Sequence, residues 1–379
     1  MQAYLDNSAT TKPCPEAVDA MMEALTTSYY NPSSVYKPAV EVFQKVRQCR
    51  ETLLAALHTR DHNLVFTSGG TEANNLAVIG TVSKMRGKQI VAVSSVEHPS
   101  VGESFAELER MGHEVRVIGV NTEGEINYEA LEKALDDGAS FVSCMQVNNE
   151  TGAVLDVRKL HETVRGRAVI HVDGVQGFLR VPLDMKYVDL YTISSHKIHG
   201  PKGEGALIYR KNLRFSARQI GGGQEGALRS GTENTPGIMG FAAAAKAMTA
   251  MGGDMPERLM QKKMYLLQKF KEVIPELLVN GPAPENAAPH IINITFPGVR
   301  GEVMLHALES YGIYASTGSA CSSKKLKVSA VLTEMGFAPS RAECALRFSI
   351  SPHTTNEEID YAAERIGTIY NQLKKYTRR

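Results

Sequence analysis

The sequence predicts an α/β fold: a mostly parallel, seven-stranded sheet interleaved with helices, joined to a smaller α+β part. Three observations predict it. From about residue 63 to 210, short β-rich apolar runs alternate with helical patterns, the signature of βαβ units around a parallel sheet. From about residue 256 onward that alternation gives way to long amphipathic helices and isolated strands. A length of 379 residues is enough for about two domains and a large buried core.

The β-rich runs of the first region are residues 64–67, 89–94, 114–120, 140–147, 168–172, 188–194 and 205–209. Helix-like stretches at 71–82, 103–111 and 128–136 separate several of them. A glycine-rich stretch at 221–226 follows, then an alanine-rich helix near 239–251 and an amphipathic helix near 257–273. A Pro/Ala-rich loop at 281–289 precedes an alternating strand at 290–296, and a helix, a strand at 312–315 and a final helix near 356–376 complete the chain. No internal repeat or low-complexity tract is present.

Charge narrows the partners. Lys+Arg 42 against Asp+Glu 41 leaves a formal net charge of +1, so no bulk field draws the chain to nucleic acid or an anionic membrane. The start, MQAYLDNSATTKP, has no basic-then-apolar leader, and no apolar run reaches the roughly 20 residues that span a bilayer. A cytoplasmic location is expected. The cysteines, Cys14, Cys49, Cys144, Cys321 and Cys344, are odd in number and lack CxxC pairing, against both a disulfide framework and a zinc ribbon.

In open α/β sheets ligands bind beyond the carboxyl ends of the strands, so residues just after each predicted strand carry the functional signal. There the sequence places Ser68-Gly69-Gly70-Thr71-Glu72, Glu97-His98, Asn148-Asn149-Glu150, Asp173-Gly174-Val175-Gln176 and Ser195-His196-Lys197. The first group leads into a helix, where free N–H groups suit a phosphate; an ordinary turn with Thr71 as N-cap is the alternative. An Asp at one strand end and a Lys at another, beside such a cradle, are what pyridoxal 5'-phosphate (PLP) requires. The amine forms the Schiff base, and the carboxylate keeps the pyridine nitrogen protonated. Singly, Lys197 reads as a surface lysine and Asp173 as a capping residue; together, beside a phosphate cradle, they favour the cofactor. His98 is either a satisfied loop histidine or an imidazole stacked on the ring and moving protons.

Two motifs are set aside. Gly221-x-Gly223-x-x-Gly226 fits a dinucleotide pattern but leads into Ala227-Leu228-Arg229-Ser230-Gly231, not into a helix. His196-x-x-His199 has metal-compatible spacing but no further ligands, so no metal is expected. Cys321 lies among small and hydroxylic residues, Ala315-Ser316-Thr317-Gly318-Ser319-Ala320-Cys321-Ser322-Ser323-Lys324-Lys325, a composition suited to a thiol that must move between partners. Lys324 and Lys325 would favour thiolate over a thiol of ordinary pKa about 8.5. The other cysteines fall in helices, a strand or between prolines, and read as structural.

With YLDNSATTKP, NPSS, FTSGGTEANNLA, EHPS, VNNETG, HVDGVQ, SSHKIHGPKG, GGGQEGALRSGTEN, FPGVRGEV, STGSACSS and LRFS in order, the chain resembles the NifS/IscS-type cysteine desulfurases of the class V aminotransferase group over nearly its whole length. The stretch 321–336 looks like the longer-loop branch. The resemblance implies a PLP-dependent transferase of fold type I, with a large PLP-binding domain at 15–255 and a small domain from 1–14 and 256–379 carrying the Cys321 loop. It implies that Lys197 carries PLP, Asp173 pairs with the pyridine nitrogen, and His98 stacks on the ring. Gln176 and Asn149 would bond near the ring hydroxyl, Asn149 also near the substrate carboxylate. Gly70, Thr71, Ser194, Ser195 and His196 would line the phosphate site, with Thr232 reaching it from a partner subunit of a homodimer.

Arg347 would clamp the carboxylate of L-cysteine, and Cys321 would take its sulfur as a persulfide. The sulfur would pass to an acceptor protein, an iron–sulfur scaffold or a ThiI-like enzyme of tRNA thiolation. Aminotransferase and selenocysteine lyase are the rivals on this scaffold, and a silent sulfur-relay protein is the rival of another class. Tyr36, Pro38 and Gly174 depart from the family's common residues, at positions that touch entrance and packing.

Overall fold

The computed structural model describes residues 1–318 and 328–377. Its strands are β1 (Ala3–Tyr4), β2 (His62–Thr67), β3 (Ile90–Ser94), β4 (Glu114–Ile118), β5 (Ala139–Met145), β6 (Val169–Asp173), β7 (Leu190–Ser194), β8 (Gly205–Arg210), β9 (Leu278–Asn280), β10 (Ile291–Thr295), β11 (Ile313–Tyr314) and β12 (Ala345–Ser349). The seven-stranded sheet has the order β2-β8-β7-β6-β5-β3-β4. Pairings among β3 to β7 are parallel, and β8 runs antiparallel to both β7 and β2. The sheet is therefore mostly parallel, as predicted, with β8 reversed.

Helices cover both faces of this sheet, which is why β5 and β7 are almost continuously buried rather than alternating. The edge strand β4 exposes residues of its middle, among them Arg116, a charge that discourages further strand pairing. The alanine-rich helix begins at Thr235, earlier than the apolar pattern indicates, because Asn234 accepts from Gly237 N and Pro236 suits a first turn.

The second sheet, β12-β10-β9, is antiparallel, and β1 pairs with β11 in a separate parallel ribbon. Helices Met255–Val273 and Asn356–Thr377 pack on each other beside them. The alternation read at 290–296 does not become a half-exposed strand, because β10 is central and every residue of it is buried. Its polar side chains find partners inside. Asn280 Nδ2 donates to Asn293 Oδ1 (2.7 Å) and Thr295 Oγ1 (2.8 Å), and Asn293 Nδ2 donates to the Glu150 carbonyl.

The chain start ties these parts together at the site. After β1, Asp6 bridges to Ser349 of β12, and the segment then crosses to the carboxyl end of β7. There Thr11 N donates to the His196 carbonyl and Cys14 N to that of His199. Among the described residues no helix is long and apolar enough to cross a membrane.

Two of the three departures from the family pattern have a local account. Pro38 occupies the first turn of helix Lys37–Ala56, where a missing N–H costs nothing. At Gly174 a Cβ would lie 2.0 Å from the Tyr191 ring, so the buried tyrosine occupies the space a side chain would need, and its hydroxyl donates to Gln146 Oε1 (2.6 Å).

Candidate active site

The five strand-end groups converge. A cavity of about 560 Å³ is lined by Gly70 and Thr71 after β2, Glu97 and His98 after β3, Asn149 and Glu150 after β5, Asp173 at the end of β6 with Gln176 beyond it, and Ser194 at the end of β7 with His196 and Lys197 beyond it. Ser8 and Ala9 of the crossing segment, Asn74, Ser100 and Arg347 of β12 also line it. Sequence separation is large, but parallel strands bring all their carboxyl ends to one edge.

Lys197 ends the short turn after β7, and its Nζ donates to the carbonyls of Ser8 (2.5 Å) and Ala9 (2.7 Å). Asp173, the last residue of β6, is 4% exposed. Its Oδ1 accepts from Val175 N (2.9 Å) and its Oδ2 from Asn74 Nδ2 (2.8 Å). Burial raises its pKa, while those two donors, His98 and Lys197 pull it down. Glu97 shares the cavity, and its carboxyl is pushed well above the usual carboxylate range by burial and by the Asp173 charge. Asp173 has two donors and two basic neighbours to offset its burial, whereas Glu97 accepts from Met145 N at one oxygen and its other oxygen is buried without a partner among the described residues.

His98 caps helix Pro99–Arg110 and is held below the ordinary histidine pKa by burial first, with Lys197 adding to the effect and Asp173 opposing it. Burial also takes His196 down to about 3, and its Nδ1 lies 3.1 Å from Thr10 Oγ1. His199 Nδ1 is occupied by the Lys12 carbonyl, and no metal-binding group of three side chains exists among the described residues.

Arg347 is almost fully buried. One of its nitrogens donates to the Asn149 carbonyl (2.9 Å) and another to Asp6 Oδ1 (2.7 Å), while its Nε–H has no partner among the described residues. The planar fork is thus fixed in the cavity wall by two of the five N–H donors of a guanidinium, a geometry that suits a carboxylate.

The phosphate cradle differs from one reading of its sequence. Gly69, with φ +148°, is the residue at the cap, no side chain closes this helix end, and Thr71 lies inside the first turn. A Cβ on Gly70 would lie 2.8 Å from Val175 Cγ2, so glycine lets this helix start approach the Asp173 loop. Uncapped N–H groups at the start of helix Gly70–Val82, beside the cavity, fit an anion. The buried carboxylate, the lysine and this cradle together match the ring nitrogen, aldehyde and phosphate of PLP.

Ser195 does not line the cavity, contrary to the sequence expectation: its N–H donates to the Glu204 carbonyl and its Oγ fills the space beside Gly200. Thr232 is exposed and outside the cavity of its own chain. Gln176 lines it, but its Nε2 donates to the Ser8 carbonyl (2.9 Å). Cys321 lies outside the described residues. The described cysteines are all free, and burial raises each thiol above its ordinary pKa, Cys49 to about 11. Sequence reasoning assigned nothing to Asn74, Ser100, Asp6 or Ser8. Asp6, Ser8, Asn74 and Ser100 all sit inside quoted landmarks, so the signal was position within a motif, without a pattern to say what each side chain touches.

Comparison with known proteins identifies the family. The model of the aminotransferase class-V family matches residues 3–362. The chain belongs to that family. Among its class-V relatives, a cysteine desulfurase of Trichormus azollae is 39% identical over 374 residues, 98% of this chain and 93% of the relative. A solved NifS-like protein superposes with TM-score 0.90 at 30% identity, covering 98% of this chain and all of the other. A structure described as SspA in complex with cysteine gives TM-score 0.80 at 26% identity, over 93% of this chain and all of that one. The fold is that of type I PLP-dependent enzymes, the class V branch included.

Proposed function

We propose that this chain is a PLP-dependent cysteine desulfurase, converting L-cysteine to L-alanine and keeping the sulfur as a persulfide on Cys321. The observation that carries the reading is that Lys197, Asp173, the open helix start at Gly70 and Arg347 share one cavity. Family membership, the named desulfurase relatives and the cysteine complex of a structural neighbour support it.

Lys197 would bond the PLP aldehyde, Asp173 would hold the ring nitrogen, His98 would lie against the ring, and the N–H groups at Gly70 and Thr71 with Ser194 and His196 would hold the phosphate. Gln176 and Asn149 would border the ring hydroxyl. When bound, PLP supplies an electron sink for the substrate carbon. Arg347 orients the L-cysteine carboxylate, supported by Asp6 and the Asn149 carbonyl. The free amine of Lys197 would move the proton at the substrate Cα, and the Ser8 and Ala9 carbonyls limit where that amine can wait. The Cys321 thiolate attacks the substrate sulfur. The carbon–sulfur bond breaks with its electron pair left on carbon, which takes a proton, so alanine and a Cys321 persulfide result.

The persulfide would serve an acceptor protein, an iron–sulfur scaffold or a ThiI-like enzyme, in the cytoplasm. A division into a large domain, 15–255, and a small one, 1–14 with 256–379, is supported by the separate sheets and by the pairing of β1 with β11. A homodimer is supported by exposed apolar residues on helices Pro15–Thr26 and Lys37–Ala56, among them Met22, Leu25, Val40 and Phe43, and by the exposure of Thr232.

The test is the visible spectrum of the purified protein with PLP, before and after L-cysteine, with alanine and sulfide quantified. A yellow chromophore, equal alanine and sulfur, and loss of sulfide production in Cys321→Ser are expected. Near-normal sulfide release by Cys321→Ser would overturn the reading.

A further inference from the structure

Two buried side chains with no assigned role, Asn74 and Ser100, join the two most important groups of the cavity. Asn74 lies in helix Gly70–Val82 and is 1% exposed. Its Nδ2 donates one hydrogen to Asp173 Oδ2 and the other to Ser100 Oγ, both at 2.8 Å. Its Oδ1 is buried without a partner among the described residues, so both polar contacts fall on the amide nitrogen. Asp173 Oδ2 accepts the first of these hydrogens, and a flipped amide would bring Asn74 Oδ1 against that oxygen instead. With its oxygen accepting from Asn74, Ser100 has its own hydroxyl hydrogen for His98 Nδ1, 2.8 Å away. The Ser100 backbone N–H donates to the same Nδ1 at 3.1 Å.

Asn74 therefore donates in both directions, to Asp173 on one side and through Ser100 on the other, and Nδ1 of His98 ends the second arm as an acceptor. We propose that Asn74 and Ser100 are positioning residues that hold His98 in its Nε2–H tautomer, so that the cavity meets a donor on a neutral ring. This deepens the reading above, since it matters to catalysis only if His98 borders the cofactor. The same bonds also explain how one carboxylate stays aimed: Val175 N holds one oxygen of Asp173 and the Asn74 amide the other. Helix position adds to the effect, because His98 is the N-cap of helix Pro99–Arg110, where an imidazolium would face the positive helix end. Charged or titratable groups around the imidazole are Asp173 and Lys197, with Glu97 beside it in the chain and Glu150 and Arg347 in the same cavity.

The experiment uses full-length, cofactor-free protein labelled with ¹⁵N-histidine, with His98 assigned by its disappearance in His98→Gln. Wild type should show one His98 tautomer, Nε2 protonated and Nδ1 bare, through neutral pH. In Ser100→Ala the Nδ1 resonance should shift and the second tautomer should appear; Asn74→Ala should move it the same way, and Ser100→Thr should restore the wild-type signal. Unchanged resonances of the other histidines report that each variant is folded. A His98 signal that stays at its wild-type position in folded Ser100→Ala and Asn74→Ala would overturn the proposal, as would a protonated Nδ1 in wild type. Failure of the desulfurase reading is seen separately, as wild type that takes up no PLP. In the PLP-loaded enzyme Ser100→Ala should lower kcat about tenfold with KM held, the mark of lost proton handling rather than lost binding.

Discussion

Lys197 and Lys263 are each enclosed by backbone carbonyls, and of the pair Lys197 alone lines the cavity. Lys263, in helix Met255–Val273, is 1% exposed, and its ammonium donates to the carbonyls of Pro284, Ala287 and Ala288. Lys197 donates to Ser8 and Ala9 in much the same manner. Around Lys263 those carbonyls end a loop that the lysine ties to its helix. Around Lys197 they form one side of a cavity whose other walls hold the carboxylate of Asp173, the imidazole of His98 and an open helix start. A buried amine by itself thus marks a stitch as readily as a site. What separates the two is an opposing set of groups across empty space, a property of strand order rather than of local sequence.

The sharpest way to break this comparison is to remove each amine. Lys197→Ala should lose the yellow chromophore and at least about a thousandfold of desulfurase activity, because both the covalent anchor and the proton carrier go. Survival of activity would place the reactive amine elsewhere. Arg347→Lys should act less severely, raising KM for L-cysteine about tenfold or more with a smaller change in kcat, since an ammonium cannot reproduce the planar fork; an unaltered KM would mean the carboxylate binds elsewhere. Lys263→Met should leave turnover as it is and lower stability by about 1–3 kcal/mol in denaturant unfolding, through carbonyls left without donors. Equal losses of activity in Lys197→Ala and Lys263→Met would erase the distinction.

The smallest effect is one of pH. Burial takes Lys263 down to about 8. Between that value and the unfolded lysine value near 10.4, the unfolded chain binds the extra proton. Stability contributed by this site therefore rises as pH climbs from about 8 toward 10.4 and is penalised in full below 8. Unfolding of wild type and Lys263→Met across that range should show their stability difference moving in favour of wild type as pH rises. A difference that stays flat would show that Lys263 keeps an ordinary pKa.

Much of the site is legible in the order of residues alone. Residues after strands carry chemistry in open α/β sheets, and the strands of this sheet are apolar enough to be marked from sequence, so Gly70, His98, Asn149, Asp173 and Lys197 are all found by position. What escapes is whatever needs a partner from another segment. Ser195 lies beside His196 in sequence, yet Gly200 opens a space that draws its hydroxyl away from the cavity. Asn74 is one polar residue on a helix with little amphipathic character, and nothing near it in sequence announces that Asp173, 99 residues away, receives its hydrogen bond. Asp6 precedes an Asn in a segment without a marked period, and only the crossing of the chain start brings it to Arg347, 341 residues on.

By itself the sequence determined which chemistry this protein carries, because a carboxylate, an amine and an anion-binding turn at strand ends are local choices of residue type. The tertiary structure alone decided how those groups are held: which carbonyls enclose Lys197, which amide aims Asp173, and which nitrogen of His98 is left for the cavity. The physical reason is that apolar periodicity and turn chemistry are written over neighbouring residues, whereas a buried hydrogen bond is settled by whichever segment the topology brings within about 3 Å.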